Sequence, residues 1–260
     1  MSESIVPSNR IRARLAEGHT VVGTMLVELR QPAVMTVLAN AGLDFVLIDN
    51  EHGPFSIETI AEQCRAARDA GVTPIVRIPE LTYSHVTRPL DAGAQGIMLP
   101  RVTAKEQVEL CVACMKYLPE GRRGAVLSRG HLRFKAGPLA ETLAAMNRET
   151  FLIVQIETGE AVARLDELLS VPGVDAALIG PTDLSLALGV PGQMDHPKLV
   201  DAIERTLAAC AAHGVVPAIH TNDVAMTAAW ARRGMRLVSI SSEVGLLASG
   251  VRSAVTAIRG

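Results

Sequence analysis

Short apolar runs rich in β-branched residues alternate with amphipathic helical patterns eight times along this chain of 260 residues. The predicted strands cover residues 21–28, 45–50, 73–78, 96–99, 151–154, 174–179, 215–219 and 237–240. Repeated strand-then-helix units favour a parallel sheet, because parallel strands need a long crossover connection. Eight units in about 250 residues match the count and size of a (β/α)8 TIM barrel. The sequence therefore predicts an α/β fold, with residues 1–260 forming a single barrel domain.

A doubly wound sheet is the alternative fold. It is disfavoured because no G-x-G-x-x-G sequence opens the first helix and no Walker-type lysine loop occurs in the chain. No segment has the composition of a linker that would divide the chain into two domains.

The composition excludes several classes of protein. Lys and Arg number 25 against 27 Asp and Glu, and only 3% of residues are aromatic, so we expect no nucleic-acid partner. No apolar run approaches the roughly 20 residues of a membrane span, and the N-terminal 18 residues lack a signal-peptide core. Four cysteines are too few for a disulfide scaffold. Cys111 and Cys114 form a CxxC within a helical pattern, where we expect structural residues. We predict a cytoplasmic protein with no membrane partner.

The stretch 151–185 predicts strand, helix and strand, with a carboxylate where each strand ends. Glu157 and Asp183 therefore lie at equivalent ends of neighbouring parallel strands, and Gln155 shares a face with Glu157. Two hard oxygen ligands suit Mg²⁺ or Mn²⁺, which leaves further positions to water and substrate. A metal site is one hypothesis. The alternative, equally supported by the local pattern, is that each carboxylate caps the following helix.

His52 follows the second predicted strand, at the end of the barrel where active sites lie. Its ordinary pKa near neutral pH makes it a candidate general base, and Asp49 or another carboxylate could set its tautomer. Arg77 ends the third strand on the same face as Ile75. A guanidinium inside the barrel needs an anion or a carbonyl oxygen, and the alternative is an ion pair with Glu51 or Glu80.

Three further features have more than one interpretation. Asp91 precedes the fourth strand at the wrong end of its helix for chemistry, which predicts a surface residue unless a neighbouring subunit uses it. His220 closes the seventh strand, where it could line the mouth. The insert 119–137 is irregular and basic, and it could bind a carboxylate-bearing substrate or form a subunit interface.

Five short motifs occur in order along the chain. They are Asp49-x-Glu51-His52-Gly53-Pro54, Val76-Arg77, Leu90-Asp91-Ala92-Gly93-Ala94, Gln155-Ile156-Glu157-Thr158 and Gly180-Pro181-Thr182-Asp183-Leu184-Ser185. Together they resemble the HpcH/HpaI family of class II 2-oxo acid aldolases, in register from about residue 18 to residue 250. The resemblance implies a metal-dependent (β/α)8 barrel that cleaves a 4-hydroxy-2-oxo acid to pyruvate and an aldehyde, and that also catalyses the reverse addition.

The resemblance also implies roles for individual residues. Glu157 and Asp183 would bind Mg²⁺, Mn²⁺ or Co²⁺ beside Gln155, and backbone N–H groups near Thr182 and Asp183 would hold the pyruvate carboxylate. The remaining implied roles concern the enolate and the proton: Arg77 stabilises the enolate oxygen, and His52 moves the proton, ordered by Asp49 and Asp91. Family members are commonly hexamers that exchange the last helix, here residues 246–258, so we expect a homo-oligomer, a hexamer or a trimer.

Two departures from the family pattern leave the aldehyde unpredicted. Met25 and Leu26 stand where many members have a tryptophan, and the insert falls where members differ in aldehyde preference. An acyl-CoA ester lyase of the malyl-CoA/citrate lyase type is one alternative function, although no nucleotide pocket is recognisable. A non-catalytic barrel that binds an oxo acid is the other. The absence of a lysine at a strand end argues against a Schiff-base mechanism.

Overall fold

A computed structural model describes residues 5–260 and contains a closed barrel of eight parallel strands in sequential order, with β8 pairing back to β1. The strands are β1 Val21–Leu26, β2 Phe45–Asp49, β3 Thr73–Arg77, β4 Gly96–Leu99, β5 Phe151–Ile156, β6 Ala176–Ile179, β7 Val216–Thr221 and β8 Leu237–Ser242. All eight predicted strands are present, and the predicted TIM barrel is confirmed.

Helices connect the strands around the outside of the barrel. They are α1 Arg10–Ala16, α2 Ala33–Asn40, α3 Ile57–Ala70, α4 Tyr83–Ala92, α5 Lys105–Met115, α6 Leu139–Glu149, α7 Gly159–Ala163, α8 Leu165–Leu169, α9 Pro181–Ala187, α10 Pro197–His213, α11 Val224–Arg232 and α12 Glu243–Arg259. The amphipathic stretch after Thr158 forms two short helices, because the backbone of Arg164 leaves the helical region between them. Helix α1 precedes the first predicted strand and is not among the predicted elements.

Two apolar layers hold the barrel together. The strand side chains that point inward form one core, which Ile11 of α1 joins from below, and the outward side chains pack against the helices. Burial on both faces explains why the strands have nearly continuous apolar sequences. Gly23 is needed in the inner core, because a Cβ atom there would come within 2.6 Å of three ring atoms of Phe45.

The insert 119–137 lies at the amino-terminal end of the barrel, opposite the mouth. It follows α5 and leads through α6 into the start of β5, and its one regular element is a 3-10 turn, Gly130–Leu132. Arg68, from the last part of α3, donates hydrogen bonds to the carbonyl oxygens of Gly130 and His131. These contacts fix the insert against the amino-terminal ends of the strands.

Helix α12 extends from the barrel with an apolar stripe in contact with solvent. Leu247 is 60% exposed, Val251 is 54% exposed and Ile258 is 85% exposed, whereas Glu243 is the buried residue of this helix. Exchange of this helix between subunits remains a prediction.

Two smaller expectations can be compared with the described residues. Cys111 and Cys114 are buried and form no disulfide, as expected for structural residues in a helix. Among residues 5–260, no helix is both long and apolar enough to cross a membrane.

Candidate active site

Polar side chains form the top layer of the barrel interior. Inward positions alternate along each strand, so the residue two places beyond the apolar core reaches the carboxyl-terminal mouth. This rule places the following five polar residues in the layer: Asp49, Arg77, Gln155, His220 and Ser239. The mouth holds a cavity of about 190 Å³, and its polar lining includes His52, Arg77, Gln155, Thr182, Asp183, His220 and Asn222.

Asp49 and Arg77 form a buried, two-point ion pair across β2 and β3. Arg77 Nε donates to Asp49 Oδ1 at 2.9 Å, and Nη2 donates to Oδ2 at 2.6 Å. Burial alone would raise the pKa of Asp49, but the hydrogen bonds and charge of Arg77 and two backbone N–H donors lower it overall. The carboxylate therefore stays ionised and fixes the guanidinium at the mouth.

Glu51 extends this pair into a chain of charges. Its carboxylate lies 3.2 Å from Arg77 Nη1 and 2.8 Å from Arg101 Nε. Glu51 is one of the two ion-pair partners predicted as alternatives for Arg77, and in the structure Arg77 contacts both Asp49 and Glu51. Arg101 was not predicted to contribute, because it lies in the loop after β4, where no periodicity sets the direction of a side chain.

Glu157 lies buried at the end of β5 and accepts hydrogen bonds on both oxygens. The backbone N–H of Arg101 donates to Oε1 at 2.7 Å, and the Gln155 amide donates to Oε2. Burial raises the pKa of Glu157, and the negative charges of Asp183 and Glu51 raise it further, against the lowering effects of the Arg101 N–H and Arg77. Glu157 and Asp183 thus place two negative charges close together.

The helix-capping alternative does not describe Glu157. The N-terminus of α7 is capped by Thr158, whose hydroxyl accepts from the N–H of Ala161. Asp183 lies in the first turn of α9, and the residue that precedes this helix, Gly180, makes no side-chain cap. Both predicted ligands are therefore available for another function.

The donor set suits a hard divalent cation. Glu157 has no Lys or Arg side chain within salt-bridge distance among residues 5–260, and Gln155 Oε1 is a buried oxygen without a hydrogen-bond partner. No group of three or more His, Cys, Asp or Glu side chains in the described chain could hold a metal ion. Two carboxylates with an adjacent amide oxygen fit Mg²⁺ or Mn²⁺, which keep several water ligands, better than Zn²⁺.

His52 and Asp91 lie at opposite ends of the barrel within one chain. His52 is at the mouth with its side chain 63% exposed, and its Nε2 lies 3.9 Å from Glu51. Asp49 accepts a hydrogen bond from the backbone N–H of His52 at 3.3 Å. Asp91 lies near the C-terminal end of α4, paired with Arg123 at 2.5 Å. Ordering of His52 by Asp91 therefore remains a prediction that requires a neighbouring subunit.

The arginines of the insert do not line the mouth cavity of their own chain. Arg123 is buried with its guanidinium 4.7 Å from the ring centre of Tyr117, and Arg133 pairs with Asp69 on the surface. Within one chain these contacts stabilise the amino-terminal end of the barrel. They give no support to the hypothesis that the insert binds substrate in the mouth cavity of the same chain.

A closed parallel barrel with polar side chains around a cavity at its carboxyl-terminal mouth has the architecture of the (β/α)8 enzymes, whose active sites lie at this end. A family model described as HpcH/HpaI aldolase/citrate lyase matches residues 24–249. The chain belongs to this family, and it is a carbon–carbon lyase.

Individual relatives cover almost the whole chain. A hydroxypyruvate/pyruvate aldolase from Roseobacter denitrificans is 34% identical over 93% of both chains. The 5-keto-4-deoxy-D-glucarate aldolase of Escherichia coli K12 is 32% identical over 97% of both chains. The crystal structure of an HpcH/HpaI aldolase from Desulfitobacterium hafniense DCB-2 has a TM-score of 0.91 and 37% identity, covering 95% of this chain and 96% of that chain.

Proposed function

We propose that this lyase is a metal-dependent class II aldolase that cleaves 4-hydroxy-2-oxo acids to pyruvate and an aldehyde, and that also catalyses the reverse addition. The observation that carries the proposal is the convergence of Glu157 and Asp183 at the mouth without a cationic side chain in contact with Glu157. The names of the aldolase relatives support the same reaction class.

Glu157 and Asp183 would hold Mg²⁺, Mn²⁺ or Co²⁺, with Gln155 beside them. When bound, such an ion acts as a Lewis acid that polarises the 2-oxo group of the substrate. Backbone N–H groups at Thr182 and Asp183 would receive the substrate carboxylate at the start of α9.

Arg77 is suited to stabilise the enolate oxygen of pyruvate. A guanidinium has five N–H groups, and contacts with Asp49 and Glu51 use three of them. The two carboxylates prevent the side chain from moving, so the remaining donors are preorganised for the charge that develops when the C3–C4 bond breaks. Burial lowers the pKa of Arg77, but Asp49 and Glu51 outweigh this effect and keep the guanidinium charged.

His52 would take the proton of the 4-hydroxyl group during cleavage and return it during addition. Its exposed ring lines the cavity, and its Nε2 lies 3.9 Å from the carboxylate of Glu51.

The test is pyruvate release from 4-hydroxy-2-oxo acids, coupled to lactate dehydrogenase, with metal-stripped protein before and after addition of Mg²⁺ or Mn²⁺. We expect release that needs metal, needs no coenzyme A, and disappears in Glu157→Ala and Asp183→Ala. Glu160→Ala, which changes an exposed glutamate in the first turn of α7, is the matched control. Release that survives complete metal removal would contradict the metal-dependent mechanism. Release that requires coenzyme A would favour the acyl-CoA ester lyase, and no turnover would favour a binding protein.

A further inference from the structure

His220 stands between two adjoining cavities at the mouth of the barrel. Beside the mouth cavity lies a second cavity of about 260 Å³, with Met194 and Met226 in its wall. Four residues line both cavities, namely Pro181, Thr182, His220 and Asn222. These four residues form the boundary between the two cavities, and a ligand that occupies both lies next to them.

A hydrogen bond from a buried serine determines which ring nitrogen of His220 carries the proton. Nδ1 lies 2.9 Å from Ser239 Oγ, which is fully buried on β8. Among residues 5–260 the Ser239 hydroxyl has no other hydrogen-bond acceptor, so it donates to Nδ1, because a buried donor left unpaired is costly. The remaining proton of the neutral ring then lies on Nε2, which has no partner within the described chain.

The surroundings of the ring keep it uncharged. Burial and, to a smaller extent, the nearby charge of Arg77 lower the pKa of His220 to about 4, against the opposing effect of Asp49. At neutral pH the ring is therefore an imidazole with one N–H group available for a ligand. Such a group donates a single hydrogen bond to an oxygen atom and adds no net charge to the mouth.

The other polar groups between the cavities are also free to bind oxygen atoms. Within the described residues, the Thr182 hydroxyl and the Asn222 amide make no hydrogen bond to protein, and both residues are exposed at the rim. The methionines Met194 and Met226 provide the apolar part of the second cavity. A ligand with hydroxyl groups near the mouth and an apolar carbon skeleton matches this lining.

We propose that His220 determines aldehyde specificity: its Nε2–H donates a hydrogen bond to a hydroxyl group on the carbon next to the aldehyde carbonyl. The chain then favours hydroxyaldehydes over alkyl aldehydes of the same size. This inference rests on the proposed aldolase function, and it concerns the half of the substrate that becomes the aldehyde. In that function the metal ligands and Arg77 bind the part of the substrate that becomes pyruvate. His220, an inward side chain of β7, is then available to contact the part that becomes the aldehyde.

The test uses two aldehydes of equal size in the addition reaction with pyruvate and metal. Glycolaldehyde and propanal differ by a hydroxyl group in place of a methyl group, so the ratio of their kcat/KM values reports the hydroxyl contact. We expect this ratio to fall about tenfold in His220→Leu, the loss of one neutral hydrogen bond. His220→Gln, which keeps an N–H donor at a similar reach, retains most of the ratio, and Ser239→Ala gives an intermediate value.

The ratio is insensitive to the fraction of folded enzyme, because both aldehydes are measured on the same preparation. If the ratio in His220→Leu stays within about twofold of the wild-type ratio, His220 does not determine aldehyde specificity, even if the kcat/KM values for both aldehydes fall. That outcome would leave the proposed aldolase function intact. Wild-type protein that adds pyruvate to neither aldehyde would overturn the proposed function, and the specificity assignment with it.

Discussion

Arg101 donates its backbone N–H to Glu157 Oε1 at 2.7 Å while its own φ is 54°, in the left-handed region that non-glycine residues rarely adopt. Such a conformation persists where the surrounding contacts determine it, and it concentrates at functional sites. Here the guanidinium of Arg101 is anchored to Glu51. The strained loop after β4 thereby aims an N–H group at one of the proposed metal ligands.

Substitution of Arg101 separates the backbone contact from the ion pair. Arg101→Asn and Arg101→Val both remove the pair with Glu51, but asparagine tolerates the left-handed region and valine does not. We expect the valine variant to be less stable than the asparagine variant by about 1–2 kcal/mol in urea unfolding. It should also bind Mn²⁺ more weakly, because the displaced N–H no longer orients Glu157. Equal stability and affinity in the two variants would show that the backbone conformation is unimportant.

The buried pair of Asp49 and Arg77 predicts a large effect on stability. Asp49→Asn leaves the mostly buried guanidinium of Arg77 without its two-point partner, which typically costs about 3 kcal/mol in the free energy of unfolding. Asp69→Asn is the matched control, because its pair with Arg133 is on the surface and is worth at most about 1 kcal/mol. Urea unfolding at pH 7 measures both variants. Similar losses in the two would refute the special contribution of the buried pair.

The same pair predicts how stability responds to acid. Because the pKa of Asp49 is lower in the folded protein than its ordinary value of 3.8, its contribution is complete above that value. It is lost as the pH falls through the lower folded pKa. We therefore expect the free energy of unfolding to fall more steeply for wild type than for Asp49→Asn below about pH 4. Parallel pH profiles for the two proteins would contradict the lowered pKa.

The positions of the site residues on strands could be predicted, because side chains alternate between the two faces of a strand. Ile75 and Arg77 are predicted to share one face of their strand. In the structure Ile75 lies in the inner core and Arg77 lines the mouth cavity on the same face. Gln155 and Glu157 likewise share the inward face of β5 and meet in a hydrogen bond. These predictions succeed because alternation in a buried strand leaves one choice of face.

Contacts made by loops were not predictable in the same way. Arg101 reaches Glu51 through a left-handed residue that no periodic pattern encodes, and Asp91 meets Arg123 because the irregular insert folds back on the end of α4. The hydrogen bond between His220 and Ser239 depends on the register in which β7 pairs with β8, and the sequence of either strand alone does not specify that register. A sequence pattern describes one element at a time, so such pairs appear only in the assembled fold.

Metal binding should stabilise the folded protein through Glu157. A ligand that binds only the native state at 100 times its Kd adds about 2.7 kcal/mol to the free energy of unfolding. We expect Mn²⁺ to raise the Tm of wild type and of the control Glu160→Gln, but not that of Glu157→Gln. Thermal unfolding with and without chelator measures the difference. An equal rise in Tm for Glu157→Gln would locate the metal elsewhere.

The apolar stripe of α12 predicts subunit contacts. Leu247, Val251 and Val255 recur every four residues and Ile258 continues the same face, yet this face meets solvent in a single chain. Large exposed apolar patches are rare on monomers and mark interaction sites. We therefore expect the protein to be an oligomer in solution, held together in part by this stripe.

Two glutamates on the stripe should dissociate this assembly, because each would bury a carboxylate without a partner at the interface. Light scattering after size exclusion should give a smaller mass for Leu247→Glu/Val251→Glu than for wild type. The control Ser253→Glu/Thr256→Glu adds the same charge on the other side of the helix and should keep the wild-type mass. Circular dichroism checks that the barrel is intact in both. If the stripe variant keeps the wild-type mass, α12 is not the interface; if wild type is itself a monomer, the exposed stripe has another partner.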